Sequence, residues 1–382
     1  MPAVTPALAE AHKGHPLYGR FTELGLPGNK TEPYRRFAVR PLLERDYTPI
    51  EATEHTPAEG DALVIENGVV TEIPKGVSVT FERPLEGDET HYDALYFLSH
   101  LVAPTAVSVE VSGDIRFEIR HRFDAANSLL PLRLHLRLAP NVRAEVFETF
   151  ETGGSAESLM LYGVDADIGR DATLRWVRSH NADADSGAVI GGHRFDVDTQ
   201  GALELKTFDF GDAKALHLYK IDLAEHAWCD AAHLLLCGGD TRRGNVVVIN
   251  HDAPYAKSVQ EARSILRGEA TGIFDGRIRI GHDARYASAH QNSKAILLDE
   301  HAFMYAKPQL EIYTDELEAS HGSTTGQLDE AQLFYLRSRG IAEEEARRML
   351  VLAFADTLIE GIGDAAYVER VRAEFEEAFL SD

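Results

Sequence analysis

The chain has 382 residues, of which 44% are hydrophobic and 26% are charged, as is typical of a folded protein with a sizeable core. Its formal net charge of -24, from 62 acidic and 38 basic residues, argues against general affinity for nucleic acid or anionic membrane surfaces. With two cysteines, no apolar leader and no apolar run of about 18 residues, the sequence predicts a cytoplasmic protein without a disulfide framework or a membrane span.

Residues 1–61 predict a small N-terminal helical domain. The segments "PALAEAHK" (6–13) and "YGRFTELG" (18–25) are typical of short helices, and Gly25 and Pro27 end the second. A basic and aromatic stretch, "NKTEPYRRFAVRPLLERDY", follows, and the loop "TPAEGDA" leads into the next zone.

Residues 62–323 predict a long series of short strands. Segments such as "AVSVEVSG", "DIRFEIRHRF" and "PLRLHLRLAP" alternate with period two, and Gly, Asp, Asn and Pro separate them. More than ten strands in series leave two architectures open, a large sandwich or barrel and a β-helix. Several strands begin with a polar turn and an alanine, and a small residue suits the places where coils stack, so the β-helix is favoured. The alanines at these strand entries are Ala172, Ala202, Ala270, Ala284 and Ala302.

Residues 324–382 predict a C-terminal domain of three helices. Asp329 and Asp364 are candidate N-caps of the first and third helices, and three glutamates open the second. The apolar faces predicted for the second and third helices are Ala346, Met349, Leu350, Ala353 and Thr357, and Val368, Val371, Phe375 and Ala378. These helices either close the end of the β core or dock a partner, and the sequence leaves both interpretations open.

The spacing most typical of a metal site is "HAWCDAAHLLLC", with His226, Cys229, His233 and Cys237. Two thiolates and two imidazoles suit tetrahedral zinc. The surrounding residues indicate a strand, however, along which the two cysteines would lie about 26 Å apart at ~3.3 Å per residue, too far to share an ion. The favoured interpretation is one buried thiol, one turn thiol and histidines on a polar face.

No conventional active site is predicted. The sequence contains no GxGxxG fingerprint, Walker A loop, GxSxG elbow or HExxH helix. The turn "GGDTRRGN" carries two arginines that could hold an anion, although a solvated loop is favoured.

A dense block between residues 250 and 341 resembles a known family. The segments "FDGRIRI", "AHQNSKAILLDEHA" and "PQLEIYTDELEASHGSTTGQLDEAQLFYLRSRGI" are similar to the SufB/SufD family of iron–sulfur cluster assembly scaffolds, in the form of its SufD branch. The N-terminal "GLPGNKTEPYRRF" looks like a variant of an early family element, with Tyr34 where tryptophan is common. The resemblance covers the whole chain and is strong over about the last third.

The resemblance implies a mainly β fold, in which small N- and C-terminal α-helical domains flank a right-handed parallel β-helix core. It implies a non-enzymatic scaffold subunit that pairs with SufB and docks the ATPase SufC through its C-terminal helices. The complex would build a transient Fe–S cluster at the SufB–SufD interface, with sulfur from a cysteine desulfurase system and, in some members, a reduced flavin. No tightly bound cofactor is expected in the isolated chain.

The junction "EASHGSTTGQL" (318–328) holds the candidate site that the resemblance implies. The family's histidine at the paralogue interface corresponds to His321, which is therefore the candidate ligand of the transient cluster. Many SufD proteins have a cysteine where this chain has Ala319, and no cysteine follows Cys237. The imidazole would therefore act without a thiol from its own chain, and "SHGSTTGQLD" follows the SufD form rather than the SufB form.

Two further surfaces are expected. Residues 284–313 would form much of the paralogue interface, because "AILL" and "FMY" supply apolar area. The residues expected to dock the ATPase are Tyr335, Arg337, Arg339, Gly340 and Phe354. Two alternatives remain open, a β-helix enzyme acting on carbohydrate through a groove of carboxylates and aromatics, and a homodimeric scaffold of the same family.

Overall fold

The computed structural model describes residues 10–50, 56–82, 87–183 and 185–380. Residues 6–9 of the first predicted helical segment, like the rest of 1–9, lie outside the described residues. The core is a parallel β-solenoid of eight successive strand pairs, from β6–β7 to β20–β21, in which even strands form sheet A and odd strands form sheet B. The predicted parallel β-helix is therefore confirmed. None of the helices in the described ranges is long and apolar enough to cross a bilayer.

Sheet A contains β1 (Thr48–Pro49), β5 (Ser78–Glu82), β6 (Ala106–Val111), β8 (Ser128–Leu138), β10 (Leu159–Ile168), β12 (Ala188–Val197), β14 (Ala215–Leu223), β16 (Arg242–His251), β18 (Thr271–Ile280) and β20 (Phe303–Ile312). Sheet B contains β2 (Ala58–Gly60), β3 (Ala62–Glu66), β4 (Val69–Pro74), β7 (Ile115–Arg122), β9 (Arg143–Glu151), β11 (Thr173–Asn181), β13 (Ala202–Phe210), β15 (Trp228–Cys237), β17 (Lys257–Leu266), β19 (Ala287–Leu297) and β21 (Leu317–Gly326).

The corner between the two sheets repeats from coil to coil. At this corner one residue in each of six successive coils has a positive φ of 58–63°, and its N–H donates to a carbonyl of the next coil. The residues in this column are Asn141, Asp171, Gln200, His226, Tyr255 and Tyr286. Of the alanines predicted at strand entries, Ala172 and Ala284 lie at this corner and are completely buried. Ala270, at the other corner, is also completely buried, whereas Ala202 is half-buried. Stacked turns therefore leave room for little more than a methyl group.

Three apolar clusters hold the fold together. The largest fills the space between the sheets with inward-facing residues of both. A second joins the N-terminal helices to the outer face of sheet A, and a third joins the C-terminal helices to the outer face of sheet B. Since the central strands are covered on both faces, they carry more apolar residues than a half-exposed strand would.

The N-terminal cluster is built around a helix that the sequence analysis did not predict. Helix α3 (Ala94–Val102) follows the short α1 (Tyr18–Leu24), a 3-10 turn (Glu32–Tyr34) and α2 (Arg40–Leu43). The Asp93 carboxylate caps α3 by accepting from two backbone N–H groups, and the buried Tyr34 hydroxyl donates to it at 2.8 Å. Because α3 is only nine residues long and mostly apolar, its sequence cannot be distinguished from a buried strand by pattern alone.

The three predicted C-terminal helices are present as α4 (Glu330–Ser338), α5 (Glu343–Ile359) and α6 (Ala365–Leu380). Asp329 and Asp364 both accept hydrogen bonds from the first-turn N–H groups, which confirms the predicted caps. The apolar face predicted for α5 is right at Ala346, which is buried, and at Leu350, which is half-buried against the third cluster. It is wrong at Met349, Ala353 and Thr357, which are exposed. The residues that α5 buries are Ala346, Val351, Ala355, Leu358 and Ile359. Docking onto the flat outer face of sheet B selects that stripe, and Met349 is left 41% exposed.

Removal of the Asp329 cap is expected to weaken α4 alone. Asp329→Ala should lower the free energy of local opening of α4 by about 1 kcal/mol, because two first-turn N–H groups lose their acceptor. Amide hydrogen exchange within residues 330–338 measures this opening. Asp329→Asn keeps an acceptor and should exchange like the parent chain; equal loss of protection in both variants would contradict the capping role.

Candidate functional site

The C-terminal end of the solenoid is an open surface. Strands β20 and β21 are the outermost strands of their sheets, and every residue of β21 is exposed or half-buried. The C-terminal helices pack along the outer face of sheet B, on strands from β9 to β17, rather than over this last coil. The interpretation of these helices as an end cap is therefore wrong. Uncovered edge strands with a free row of backbone groups are ready to pair with another chain.

His321 lies on this open end and points toward the core. Alternate residues of β21 share one face of the strand, and Leu317 and Ala319, which share the face of His321, pack against the apolar cluster between the sheets. Its register partner on β19 is Gln291, and the partner of Gln291 on β17 is Gln260. The inward row therefore runs from Gln260 through Gln291 to His321, which is exposed because no further coil covers it.

The two residues behind His321 are buried amides. The Gln291 side-chain N–H donates to Gln260 Oε1 at 2.6 Å, and both side chains are at most 3% exposed. Within the described part of the chain, Gln291 Oε1 has no hydrogen-bond partner. Gln291 is therefore the buried polar side chain that precedes His321 in the inward row, on the neighbouring strand.

No thiol of this chain lies near His321. Both cysteines are on β15, three strands away in sheet B, or about 14 Å at ~4.8 Å per strand. Ala319 and Ala289 occupy the neighbouring inward positions of β21 and β19. Thiolate ligands at this end would have to come from another subunit.

Exposed aromatic and aliphatic side chains accompany the open end. Phe303, Ile312 and Tyr313 flank β20 and are 45–49% exposed, and Tyr286 is 52% exposed. On the outer side of β21, Ser320 contacts His290 Nδ1 at 2.8 Å. Residues 284–313, the region expected to form a paralogue interface, therefore combine apolar area with unpaired strand edges.

A second exposed surface lies on helix α4. Tyr335 is 56% exposed and lies beneath the Arg339 guanidinium, 5.2 Å from the ring centroid, while Arg337 pairs with Glu343 at 3.3 Å. Gly340, with φ of 86°, ends the helix in a conformation that favours glycine. The sequence analysis missed Phe334, which is 73% exposed. The sequence did contain a signal for this exposure. Leu333, Phe334 and Tyr335 are consecutive on a short helix, and consecutive residues cannot all face the core.

Phe354 is set apart from the other expected docking residues. It lies on α5, half-buried, with the Arg263 guanidinium of β17 5.1 Å from its ring centroid. Arg263 also donates to the Phe354 backbone carbonyl. The structure thus brings Tyr335, Arg337, Arg339 and Gly340 together and places Phe354 against the solenoid.

The cysteine–histidine motif lies along one strand, as predicted. Cys229, His233 and Cys237 are inward-facing residues of β15, and His226 is at the corner before it. The prediction of one turn thiol is wrong, because both thiols are buried within β15, and the prediction of histidines on a polar face is wrong for His233, which is also buried. Burial raises the pKa of Cys237 to about 12, so this thiol stays protonated at neutral pH.

The solenoid interior contains polar residues that the alternation pattern did not reveal. Glu148 accepts hydrogen bonds from Trp176 at 3.0 Å and from Tyr162, and Arg178 pairs with Asp209 through two contacts of 3.0 and 3.2 Å. The prediction of a solvated loop at "GGDTRRGN" is wrong for Arg243. Its side chain is completely buried and contacts His180 Nδ1 at 3.1 Å.

The chain matches proteins of iron–sulfur cluster assembly. A family model described as the SUF system FeS cluster assembly SufBD core domain matches residues 121–354. The chain is 34% identical over 125 residues to the iron–sulfur cluster assembly protein SufD of Escherichia coli, over 33% of this chain and 30% of that protein. It is 34% identical over 174 residues to a SufBD family protein of Mycobacterium leprae, and this match covers 44% of this chain and 40% of that protein. A SufBD family protein of Mycobacterium tuberculosis is 32% identical over 219 residues, which cover 55% of this chain and 48% of that protein. The matched regions therefore span less than half the length of each of these relatives.

Proposed function

The chain belongs to the SufBD family of iron–sulfur cluster assembly proteins, and from this premise we propose that it is a SufD-type scaffold subunit of a SUF complex. In this role it pairs with SufB, docks the ATPase SufC and helps to build and deliver nascent Fe–S clusters in the cytoplasm. It works without a conventional active site of its own. A cysteine desulfurase system would supply sulfur, and a reduced flavin would act at the level of the complex.

The observation that carries the proposal is the uncovered last coil with His321 on its inward row. Pairing of β20 and β21 with the strands of a related subunit would satisfy the free backbone groups and cover Phe303, Ile312 and Tyr313. The same pairing would enclose His321 between two solenoid ends. A partner with a similar solenoid fits this end better than a globular protein does.

The cluster is the cargo at this seam, and His321 is one of its ligands. A neutral imidazole is a suitable ligand for iron, and one nitrogen ligand among thiolates would ease release to an acceptor. The SufD assignment rests on the local "ASHG" sequence and on the absence of any cysteine after Cys237. This chain therefore supplies the imidazole, and SufB supplies the thiolates.

Helix α4 supports the docking of the ATPase. Exposed aromatic and arginine side chains are the residues that most often dominate protein interfaces, and Phe334, Tyr335 and Arg339 form such a group. Helix α4 packs against α5, which lies on the outer face of sheet B, so we expect an ATPase bound at α4 to be compatible with a paralogue at the solenoid end.

Co-expression of the full chain with SufB and SufC tests the assembly. The expected native mass corresponds to a heteromer that contains all three proteins. A tagged chain that is recovered only as a homodimer in the presence of both partners would contradict the proposed pairing. The carbohydrate-enzyme alternative requires carboxylates together with aromatics, and the cavity on sheet A's outer face gathers aspartates but has no Phe, Tyr or Trp among its described lining residues.

A further inference from the structure

Two histidines and an aspartate converge on the outer face of sheet A, away from the solenoid end. His100 is in the last turn of α3, and His135 and Asp165 are register partners on β8 and β10. The distance from Asp165 Oδ2 to His100 Nε2 is 3.2 Å, and the distance from the same oxygen to His135 Nε2 is 3.3 Å. All three residues are at most 8% exposed.

The imidazole nitrogens in this cluster are not satisfied by hydrogen bonds. Among the residues that the structure describes, neither nitrogen of His100 has a hydrogen-bond partner, and neither does His135 Nε2. His100 is 1% exposed, so it is a buried polar side chain whose Nε2 is aimed at the carboxylate without the alignment of a hydrogen bond. Unpaired buried polar atoms are uncommon in proteins, so these nitrogens are available to a ligand.

The spacing of the three donor atoms fits one metal ion. They all lie within 4.8 Å of one another. A tetrahedral ion with bonds of about 2.0–2.1 Å separates its ligand atoms by about 3.3 Å, close to the two nitrogen–oxygen distances here. Two imidazoles with one carboxylate are ligands typical of Zn²⁺ and Fe²⁺.

The cluster opens onto a cavity of about 390 Å³ that gives an ion a way in. His135 and Asp165 line it, together with Asp167, Asp196 and Asp222. Its basic residues are held in ion pairs, as in Arg194 with Asp167 and Asp196 and Lys220 with Asp88 and Asp222. The cavity also has room for a water molecule as fourth ligand.

Arg133 shares the carboxylate but does not depend on it. Its guanidinium contacts Asp165 Oδ2, and its other nitrogen donates to Gly192 O at 2.9 Å and to Ser99 Oγ at 3.1 Å. It also lies over the Tyr96 ring, 4.8 Å from the centroid. Asp165 Oδ1 accepts from the Tyr96 hydroxyl at 2.8 Å and lies 3.5 Å from Arg194 Nε, so Oδ2 is the oxygen that faces both histidines.

We propose that His100, His135 and Asp165 bind a divalent transition-metal ion of the Zn²⁺ or Fe²⁺ type. Because His100 belongs to α3 and the other two ligands belong to sheet A, the bound ion joins the N-terminal helical cluster to the solenoid. This site is separate from the cargo site at His321 and does not depend on the proposed function.

Binding of Co²⁺ and Zn²⁺ to the chelator-treated full chain tests the site. We expect one Co²⁺ per chain with the visible absorption of a tetrahedral His-ligated ion, its displacement by Zn²⁺, and a rise in Tm with Zn²⁺. His135→Asn should weaken binding by about 100-fold or more, beyond the loss typical of an outer-shell partner, and should remove the Tm shift. His100→Asn should do the same, and circular dichroism checks that both variants fold.

His226→Asn is the matched control, because His226 is an exposed histidine at a corner of the solenoid. It should bind both ions as the parent chain does. The proposal is overturned if the parent chain takes up no stoichiometric ion. It is equally overturned if the folded His135→Asn variant retains the parent affinity, since the ion would then occupy surface histidines.

Discussion

His321→Ala is expected to leave the complex with SufB and SufC assembled and to lower cluster delivery by about tenfold or more. Assembly should persist because His321 is exposed and does not belong to the apolar core between the two sheets. Delivery should fall because the substitution removes a metal ligand, and loss of even an outer-shell partner typically costs about 10–100-fold in affinity or activity. Transfer of cluster to an apo-ferredoxin, followed by absorbance, measures the effect.

His290→Ala is the matched control for this variant. His290 is also exposed, lies on the adjacent strand and faces outward, so it cannot reach a cluster held at the inward row. Delivery by this control should equal that of the parent complex. Full cluster delivery by the purified His321→Ala complex would show that His321 is not a cluster ligand, whatever the control shows.

Substitution of the exposed aromatics of α4 is expected to abolish most ATPase binding. Tyr335→Ala and Phe334→Ala should each weaken SufC binding by about 30-fold, equivalent to ~2 kcal/mol for an interfacial aromatic. Fold and pairing with SufB should be unchanged, because neither side chain contributes to the buried core of the C-terminal helices. Isothermal titration of each variant with SufC gives the affinity.

Phe81→Ala is the control for the loss of an exposed aromatic. Phe81 is 49% exposed on β5, near the N-terminal end of sheet A. It should bind SufC with the parent affinity. A chain truncated after Gly326 that still captured SufC would show that the ATPase docks elsewhere.

Local signals in the sequence predict much of the fold. Period-two alternation identifies the strands, and Asp329 and Asp364 mark the starts of two helices by hydrogen bonds that depend only on neighbouring residues. The buried alanines at the corners indicate stacked coils. Each of these features is determined within a few residues, so each is visible without tertiary structure.

The features missed are those determined by distant contacts. Helix α3 is a nine-residue, mostly apolar segment surrounded by sheet A, α1 and the N-terminal turns, so pattern alone does not distinguish it from a buried strand. The buried stripe of α5 is selected by the surface of sheet B. His100, His135 and Asp165 are far apart in sequence and become neighbours only when α3 docks onto β8 and β10.

The candidate site was predicted in part. The junction sequence identified His321 through its family resemblance, but its exposure follows from a property of the whole fold, which is that the last coil has no successor and the helices turn aside. Phe354 shows the opposite case. The helical pattern alone does not reveal that Arg263 of a distant strand covers it.

The most direct test of the scaffold role is the iron and acid-labile sulfide content of the native complex. The complex of this chain with SufB and SufC would be purified without oxygen after incubation with a cysteine desulfurase, cysteine, Fe²⁺ and a reductant. We predict iron and sulfide in near-equal amounts, bound in a form that an apo-acceptor removes. A correctly assembled complex that acquires neither under these conditions would contradict the proposal that this chain helps to build Fe–S clusters.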